Sequence, residues 1–388
     1  MRQAIRQLGE VCDIIAGQHI ESALYSGTED GHPYLTGPAD FGDTRPIVTK
    51  WTKHPKVFAA FGDVLVTVKG AGVGKINLGC NAAIGRQLMA LRPRLHQIDQ
   101  AYLFQVLRAA QRHINGLAQG ATVPGIGKDD LASLEAYIPP LAEQKRIAGI
   151  LDAADALRGK RREALAQLDT LLQATFLDLF GDPVTNPKGW KFVPLGEAGT
   201  SFEGGKNYNP TDDERPDGFR VLKVSAVTSG EYLYDESKPF AQAETVPADY
   251  IVRDSDLLIS RANTSELVGA VAHVRNASGR EVLPDKLWRF VWSKPRQIEP
   301  LYMLHIARSK YFRRQLIQRA TGTSGSMKNI GKEKMLGIPI PLPPLARQQQ
   351  FAQVAELIDA QKGQHRAHLT ELDALFASLQ SRAFKGEL

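Results

Sequence analysis

The chain has 388 residues, of which 43% are hydrophobic and 23% charged, with a formal net charge of +6. This length predicts two or three domains, and the composition argues against a disordered chain. Two cysteines, Cys12 and Cys80, are too few for a disulfide framework, and the apolar runs are only strand-length. We therefore expect a cytoplasmic protein without a signal peptide or membrane span.

The first segment, residues 1–138, has the short apolar runs of a mixed α+β domain. Residues 64–68 predict a strand and residues 101–110 a helix. Residues 119–126 form a loop rich in small residues, whose backbone N–H groups could approach phosphates, with Lys128 adding charge. A flexible joint between the domain and the next helix is the alternative interpretation.

Residues 70–75, Gly-Ala-Gly-Val-Gly-Lys, resemble a nucleotide-binding loop but lack its required residues. Lys69 stands where a P-loop needs glycine, and Ile76 replaces the hydroxyl residue. The helix and ribose-binding acid of a dinucleotide site do not follow at the right distance. We interpret Lys69 and Lys75 as parts of a lysine-bearing loop near DNA, without a bound nucleotide.

The segment 139–182 predicts a long amphipathic helix that begins after two prolines. Proline is tolerated in the first helical turn, where its missing N–H would be unpaired anyway. An apolar stripe with helical period follows, interrupted by polar residues around Gly159. The residues predicted to pair this helix with another, or to dock a partner, are Ile147, Ile150, Leu157, Leu168 and Leu171.

The segment 183–342 predicts a second α+β domain, with a strand at 218–224 and helices at 300–320. From Lys286 to Lys334 it has twelve Lys or Arg residues and two acidic ones, which is typical of a surface that binds a polyanion. A solvated basic face is the alternative.

Candidate DNA contacts come from loops and strand ends that carry cations, Asn or an aromatic ring. Arginine and asparagine make paired hydrogen bonds to guanine and adenine, although ordinary surface polarity also explains each position. The proposed contacts are Lys69, Lys75, Thr122, Lys128, Lys206, Tyr208, Arg261, Asn263, Lys286, Arg289, Ser324, Lys328, Asn329 and Lys332.

Catalytic and metal-binding signatures are missing from the sequence. His365 and His368 are three residues apart on a predicted helix, but they lack a third ligand, so we expect no metal site. We find no motif of an adenine methylase, a helicase or a nuclease, and therefore expect no catalytic residues.

An internal repeat organises the whole sequence. With a shift of 204 positions, Ile126 falls on Ile330, Lys128 on Lys332 and Gln144 on Gln348. The ungapped match spans about sixty residues and divides the chain into variable and shared segments, 1–138, 139–182, 183–342 and 343–388. The second shared helix carries the equivalent pairing or docking residues Phe351, Val354, Ile358, Leu372 and Leu375.

Two matching amphipathic helices in one chain predict a coiled-coil-like antiparallel pair related by a pseudo-twofold axis. Pairing with helices of another protein is the competing use of the same faces. The predicted fold class is α+β, with two globular target-recognition domains separated by the two long helices.

With these signatures the sequence resembles the specificity subunits of type I restriction–modification systems. The resemblance rests on residues 127–147 and 328–349, each with a Gly-Lys and a Pro-Pro-Leu-x-x-Gln element, and on Leu-Gly-Glu at 8–10 and 195–197. It departs at Arg347, which replaces the acid Glu143 of the first copy, and at residues 123–125, which are less polar than their counterpart.

The resemblance implies a non-catalytic subunit whose domains each read half of a bipartite, non-palindromic target in double-stranded DNA. The helices would set the gap and dock two modification (methyltransferase) subunits, joined by two restriction subunits. S-adenosylmethionine, ATP and Mg would bind those partners, with no cofactor on this chain. The alternatives are the specificity polypeptide of a stand-alone methylation system, an enzyme with divergent motifs, and a coiled-coil scaffold.

Overall fold

The structure is a computed structural model that describes residues 5–118, 124–211, 218–240, 246–322 and 327–388. The chain divides into two compact units. Unit 1 comprises Met1–Glu163 and Arg366–Leu388, and unit 2 comprises Ala164–His365. Within the described residues, no helix combines the length and the apolar character needed to cross a membrane.

In the described residues of unit 1, short strands form three sheets of two, four and five strands, and helices pack against them. Its strands are β1 (Ile5–Gln7), β2 (Cys12–Ala16), β3 (Tyr25–Ser26), β4 (His32–Leu35), β5 (Trp51–Thr52), β6 (Phe58–Ala59), β7 (Val64–Thr67), β8 (Ile76–Leu78), β9 (Ala82–Ile84), β10 (Leu88–Pro93) and β11 (Glu135–Tyr137). Its helices are α1 (Leu8–Val11), α2 (Gln100–Gly116), α3 (Lys128–Ala132) and the first part of α4 (Leu141–Phe180).

A four-stranded antiparallel sheet, in the order β2–β10–β7–β8, lies at the centre of unit 1. All four residues of β7 are buried. Val64 and Val66 belong to the core that contains α2, whereas Leu65 belongs to the core shared with β4 and β9. Because side chains alternate along a strand, both faces of β7 are covered, which explains its uninterrupted apolar run.

Unit 2 repeats this plan with different residues. Its strands are β12 (Phe192–Pro194), β13 (Thr200–Gly204), β14 (Arg220–Leu222), β15 (Ser237–Pro239), β16 (Leu257–Ser260), β17 (Ala262–Asn263), β18 (Val271–His273), β19 (Glu281–Val282), β20 (Leu287–Trp292), β21 (Lys328–Asn329) and β22 (Pro339–Pro341). Its helices are the second part of α4, α5 (Pro300–Arg308), α6 (Lys310–Arg319), α7 (Lys332–Leu336) and the first part of α8 (Leu345–Lys385), whose second part belongs to unit 1.

The central sheet of unit 2 has the order β13–β20–β16–β18, which matches the order β2–β10–β7–β8 in unit 1. A short pair, β12–β22, likewise matches β1–β11. The internal repeat therefore includes the segments whose sequences diverge, because topology and burial pattern are conserved between the units while side-chain identity is not.

The long helices pack antiparallel within each unit. In unit 1, Arg158 of α4 bonds Asp373 of α8, with 2.5 Å between Nε and Oδ1. In unit 2, Lys362 of α8 bonds Asp169 of α4 at the same distance. Under the 204-residue shift Arg158 corresponds to Lys362 and Asp169 to Asp373, so the ion pair is reciprocal, as in an isologous interface. The structure thus confirms the predicted α+β fold, with long helices that pack antiparallel within each unit.

Three leucines predicted to pair the helices or to dock a partner are only half-buried. Leu157, Leu171 and Leu375 are 51%, 52% and 49% exposed and lie outside the buried clusters that join the helices within each unit. Each helix half packs against the globular part of its unit as well as against the other helix, which turns the buried stripe away from a strict heptad seam. Of the other predicted residues, Ile147, Phe351 and Ile358 are buried, and Ile150, Leu168, Val354 and Leu372 are partly buried.

The glutamine of each Pro-Pro-Leu-x-x-Gln signature joins a long helix to its globular part. The Gln144 side chain accepts a hydrogen bond from Asp99 N–H (2.8 Å) and donates to the carbonyls of Gln97 (2.9 Å) and Pro139 (2.7 Å). Both Gln144 and Gln348 are fully buried. The amide therefore connects the first turn of α4 to the start of α2.

Gln348 makes the same three bonds in unit 2. It accepts from Glu299 N–H (2.8 Å) and donates to the carbonyls of Gln297 (3.1 Å) and Pro343 (2.8 Å). The signature is thus explained by a buried polar connection that an apolar side chain of similar size cannot supply.

We expect Gln348→Leu to lower the free energy of unfolding of unit 2 by about 3 kcal/mol, because three buried backbone groups lose their partner. Urea titration followed by tryptophan fluorescence measures it, since Trp190, Trp288 and Trp292 lie in unit 2. The exposed neighbour Gln349→Leu serves as the matched control. Equal stability of the two variants would contradict the assigned role.

Candidate nucleic-acid interface

Three segments of unit 2 meet where β16 ends. The Arg261 N–H donates to the Lys286 carbonyl (3.0 Å), and the Ile330 N–H donates to the Arg261 carbonyl (3.0 Å). Strand β17 pairs with β21, which sets Asn263 opposite Lys328. The backbone therefore joins residues 261–263, 285–286 and 328–332 into one surface, which we call the unit 2 face. The sequence predicted these segments separately.

Arg261 is held at the centre of the unit 2 face. Its Nε donates to the Asp285 carbonyl (2.6 Å), its Nη1 donates to Asn329 Oδ1 (3.0 Å), and its Nη2 lies 3.5 Å from Asp285 Oδ2. The guanidinium carbon lies 5.6 Å from the ring centroid of Trp288, and Lys332 Nζ lies 5.9 Å from the same ring. Hydrogen bonds and cation–π contacts together orient these cations.

The position of the Trp288 ring depends on a glycine in the neighbouring strand. Gly204 pairs with Trp288 between β13 and β20. A Cβ at position 204 would lie 2.6 Å from Trp288 Cδ1, so only glycine leaves room for the indole in this position.

The remaining predicted residues of this face differ in exposure. Lys332 and Asn329 are exposed, while Asn263, Lys286 and Lys328 are partly buried. Lys328 Nζ donates to the Gly322 carbonyl at 3.0 Å. With Arg261, the face carries four cations against the single carboxylate of Asp285, which favours a polyanionic ligand.

Lys206 and Tyr208 lie on the chain that follows β13. The Gly205 N–H donates to the Pro284 carbonyl (3.3 Å), which places this chain beside the turn at 285–286. Lys206 Nζ lies 5.3 Å from the Tyr208 ring, and Tyr208 packs on Phe240 with 4.3 Å between ring centroids. The cation and the ring are thus in contact at the edge of the unit 2 face.

Unit 1 has the same backbone frame at the end of β7. The Val68 N–H donates to the Gln87 carbonyl (2.8 Å), and the Ile126 N–H donates to the Val68 carbonyl (3.0 Å). Lys69 forms an isolated β-bridge with Gly125, which corresponds to the pairing of Ala262 with Asn329 in unit 2. The predicted residues Lys69, Lys75 and Lys128 are all exposed, and Lys128 begins α3 as Lys332 begins α7.

The glycine-rich loop of unit 1 is a turn between strands. Gly70 and Gly74 have φ values of +88° and +86°, and β8 follows the loop in place of a helix. A phosphate-binding P-loop requires a helix at this point, whose first N–H groups would hold the phosphates. The structure therefore agrees with the interpretation of this segment as a lysine-bearing loop.

Sequence reasoning missed Arg86 and Gln87. They form the exposed turn between β9 and β10 and occupy the positions that Asp285 and Lys286 occupy in unit 2. A shift of 199 aligns residues 84–88 with 283–287, and Leu88 with Leu287 in particular. This local match could have identified Arg86 and Gln87, but its shift of 199 positions differs from the 204-position shift of the main repeat.

The prediction that Arg289 contacts DNA is wrong. Its side chain is only 7% exposed, and its Nη2 bonds Asp256 Oδ2 at 2.7 Å. Its Nη1 and Nη2 also donate to the carbonyls of Asp249 (2.8 Å) and Ile251 (2.5 Å). Burial raises the pKa of the Asp256 carboxyl above its ordinary value, although Arg289 opposes that shift. Arg289 is itself buried, compensates the partly buried Asp256 carboxylate and cannot also reach a base.

Unit 1 pairs the equivalent carboxylate differently. Asp63, which precedes β7 as Asp256 precedes β16, accepts two hydrogen bonds from Arg92, at 2.8 and 2.9 Å. The arginine comes from another position of the neighbouring strand, so the aligned sequences do not reveal the shared ion pair. The predicted contacts Thr122 and Ser324 lie outside the described residues.

We expect Arg289→Leu to destabilise unit 2 by about 3 kcal/mol, because it leaves the partly buried Asp256 carboxylate without its cationic partner. Urea unfolding followed by tryptophan fluorescence measures the loss. Arg314→Leu, at an exposed position of α6, is the control and should change stability little. Similar small effects for both variants would show that Arg289 is not a core residue.

A family model for the type I restriction modification DNA specificity domain matches the chain twice, at residues 3–167 and 187–372. The chain belongs to this family of type I specificity subunits. The two matches cover both units, so the repeat in the structure is the repeat of the family domain.

Curated and solved relatives agree with this assignment. The chain is 23% identical to the type I restriction enzyme MjaVIII specificity subunit of Methanocaldococcus jannaschii, over 81% of this chain and 76% of that one. A crystal structure of the type I restriction–modification S subunit from M. genitalium has a TM-score of 0.63 at 18% identity, covering 98% of this chain and 95% of that one.

A further solved chain, from work on complex assembly and conformational transition of the type I restriction–modification system, has a TM-score of 0.55 at 18% identity. It covers 99% of this specificity subunit and 98% of its own length. At such identities the likeness to solved structures shows a shared fold, and the family model carries the assignment.

Proposed function

We propose that this specificity subunit is a non-catalytic reader of double-stranded DNA, in which each unit recognises one half of a bipartite, non-palindromic target. The observation that carries the proposal is the backbone frame that both units share at the end of their central strand. The hydrogen bond from Val68 N–H to the Gln87 carbonyl corresponds to the bond from Arg261 N–H to the Lys286 carbonyl.

The side chains on this frame differ between the units. Unit 1 presents Lys69, Arg86 and Gln87, whereas unit 2 presents Arg261, Asn263, Asp285 and Lys286. Base edges are distinguished by their pattern of donors and acceptors, so two different patterns should select two different base sequences. The lysines that begin α3 and α7 are common to both units and suit phosphate contacts, which position a protein without specifying sequence.

We infer further that the long helices set the number of base pairs between the half-sites and dock the modification subunits. Helices α4 and α8 each contribute residues to both units. The exposed leucines Leu171 and Leu375 are equivalent under the 204-residue shift, and one lies in each unit. Two equivalent apolar positions fit two modification subunits.

The same proposal places the chemistry on partner subunits. The two modification subunits would bind S-adenosylmethionine, and two restriction subunits would use ATP and Mg. Among the described residues, His, Cys, Asp and Glu do not form groups of three or more that could hold a metal ion. This chain would then act in the cytoplasm, and its own ligand would be double-stranded DNA.

Exchange of residues 183–342 for the equivalent segment of another specificity subunit should change one half-site and leave the other intact. The reason is that each unit carries its own core and its own face. Methylation mapping of a host that expresses the chimaera with its modification subunits measures both half-sites. The reciprocal exchange of residues 1–138 is the control. A change in both half-sites after either exchange would refute the proposal that each unit recognises its own half-site.

Leu171→Glu combined with Leu375→Glu should reduce co-purification of the modification subunits at least tenfold, because charges would be buried in two apolar contacts. Quantitative pull-down of the tagged chain measures it. Gln173→Glu with Ala377→Glu introduces the same charges at exposed positions two residues away, on another side of each helix. If both double variants retained or lost the partners equally, the leucines would not be docking positions.

A further inference from the structure

We propose that Arg261 reads a guanine in the half-site of unit 2, and that Asp285 and Asn329 are positioning residues for its guanidinium. This inference rests on the proposed DNA-reading function and names one base that it requires.

The hydrogen-bond inventory of Arg261 leaves two donors for a ligand. A guanidinium has five N–H groups. Nε is used by the Asp285 carbonyl, one Nη1 hydrogen by Asn329 Oδ1, and one Nη2 hydrogen by the Asp285 carboxylate. One N–H on each terminal nitrogen therefore remains.

Guanine is the base edge that matches two such donors. In the major groove it presents two neighbouring acceptors, O6 and N7. Adenine presents one acceptor beside a donor, cytosine presents a donor, and thymine presents one acceptor beside a methyl group. Only guanine accepts both hydrogen bonds, so the remaining donors specify the base.

The guanidinium is oriented before DNA binds. Contacts on three sides come from Asp285, Asn329 and the ring of Trp288. The Arg261 side chain nevertheless keeps 25% of its surface exposed, so it is accessible to a ligand. An arginine held in this way loses less rotamer entropy on binding than a free surface arginine does.

Among the residues that the structure describes, unit 1 has no arginine at the position equivalent to Arg261. The buried Val68 occupies the corresponding place in the frame, since its N–H donates to Gln87 as that of Arg261 donates to Lys286. The requirement for this guanine should therefore be confined to the half-site that unit 2 reads.

The test is selection from a library of duplexes with a randomised core, using the full chain assembled with its modification subunits. Wild type should select a bipartite sequence with a required guanine. Arg261→Ala should lower the preference for that guanine about tenfold to a hundredfold and leave the other half-site unchanged. Arg261→Lys, which keeps the charge and can still donate to guanine but lacks the planar fork, should retain most affinity and weaken the preference less than Arg261→Ala does.

The base preference of Asn329 variants tests the positioning role. Asn329→Ala should weaken the preference for the same guanine only, and Asn329→Asp, which keeps an acceptor oxygen, should restore it. Lys332→Ala is the matched control. It removes a neighbouring cation and should weaken binding to all sequences equally, with a lower salt dependence.

A chemical probe tests the contact without altering the protein. Replacing the selected guanine by inosine keeps O6 and N7, so binding by wild type should persist. Replacing it by 7-deazaguanine removes the N7 acceptor and should reduce binding about tenfold. This comparison of bases uses only the wild-type protein, so it tests the guanine contact even if an Arg261 variant fails to fold.

The outcomes separate the two proposals. If wild type selects a bipartite target, but Arg261→Ala keeps every base preference or 7-deazaguanine binds as well as guanine, the role of Arg261 is refuted and the proposed function stands. If wild type selects no sequence at all, the proposed function itself is refuted.

Discussion

A buried side-chain amide holds each long helix to the domain that precedes it. Gln144 and Gln348 each satisfy one backbone N–H and two carbonyls, at a point where the proline turn, the long helix and the domain helix converge. Such groups are costly to bury without partners, so the junction tolerates little variation. The direction in which each long helix leaves its domain depends on this connection, because it fixes the first turn of the long helix to the start of the domain helix.

Within each unit, specificity is separated from architecture. Backbone hydrogen bonds build the frame on which Arg261 and Lys286 lie, and the same bonds build the frame of Val68 and Gln87. Because the backbone contributes the connections, side chains on the frame are free to differ. Two units of one fold can thereby carry unlike surfaces, as the proposed reading of a target without palindromic symmetry requires.

The errors of the sequence analysis have definite physical causes. Arg289 lies between aromatic residues in a basic stretch, a pattern typical of a DNA contact, yet in the fold it is buried and neutralises the partly buried Asp256. Leu157 and Leu375 satisfied a heptad pattern, but the helices pack against a globular domain as well as against each other. A one-dimensional pattern records that a residue is apolar or charged; it does not record which neighbour will cover it.

The sequence by itself determined the repeat, the α+β class, the two long helices and the family, because duplicated signatures and helical periodicity are local properties. Only the tertiary structure decided that segments around Arg261, Asp285 and Asn329 meet on one surface, and that Arg86 and Gln87 belong to its counterpart. These contacts join residues up to 68 positions apart. Strand register and sheet order bring them together, and neither can be read from the order of the residues alone.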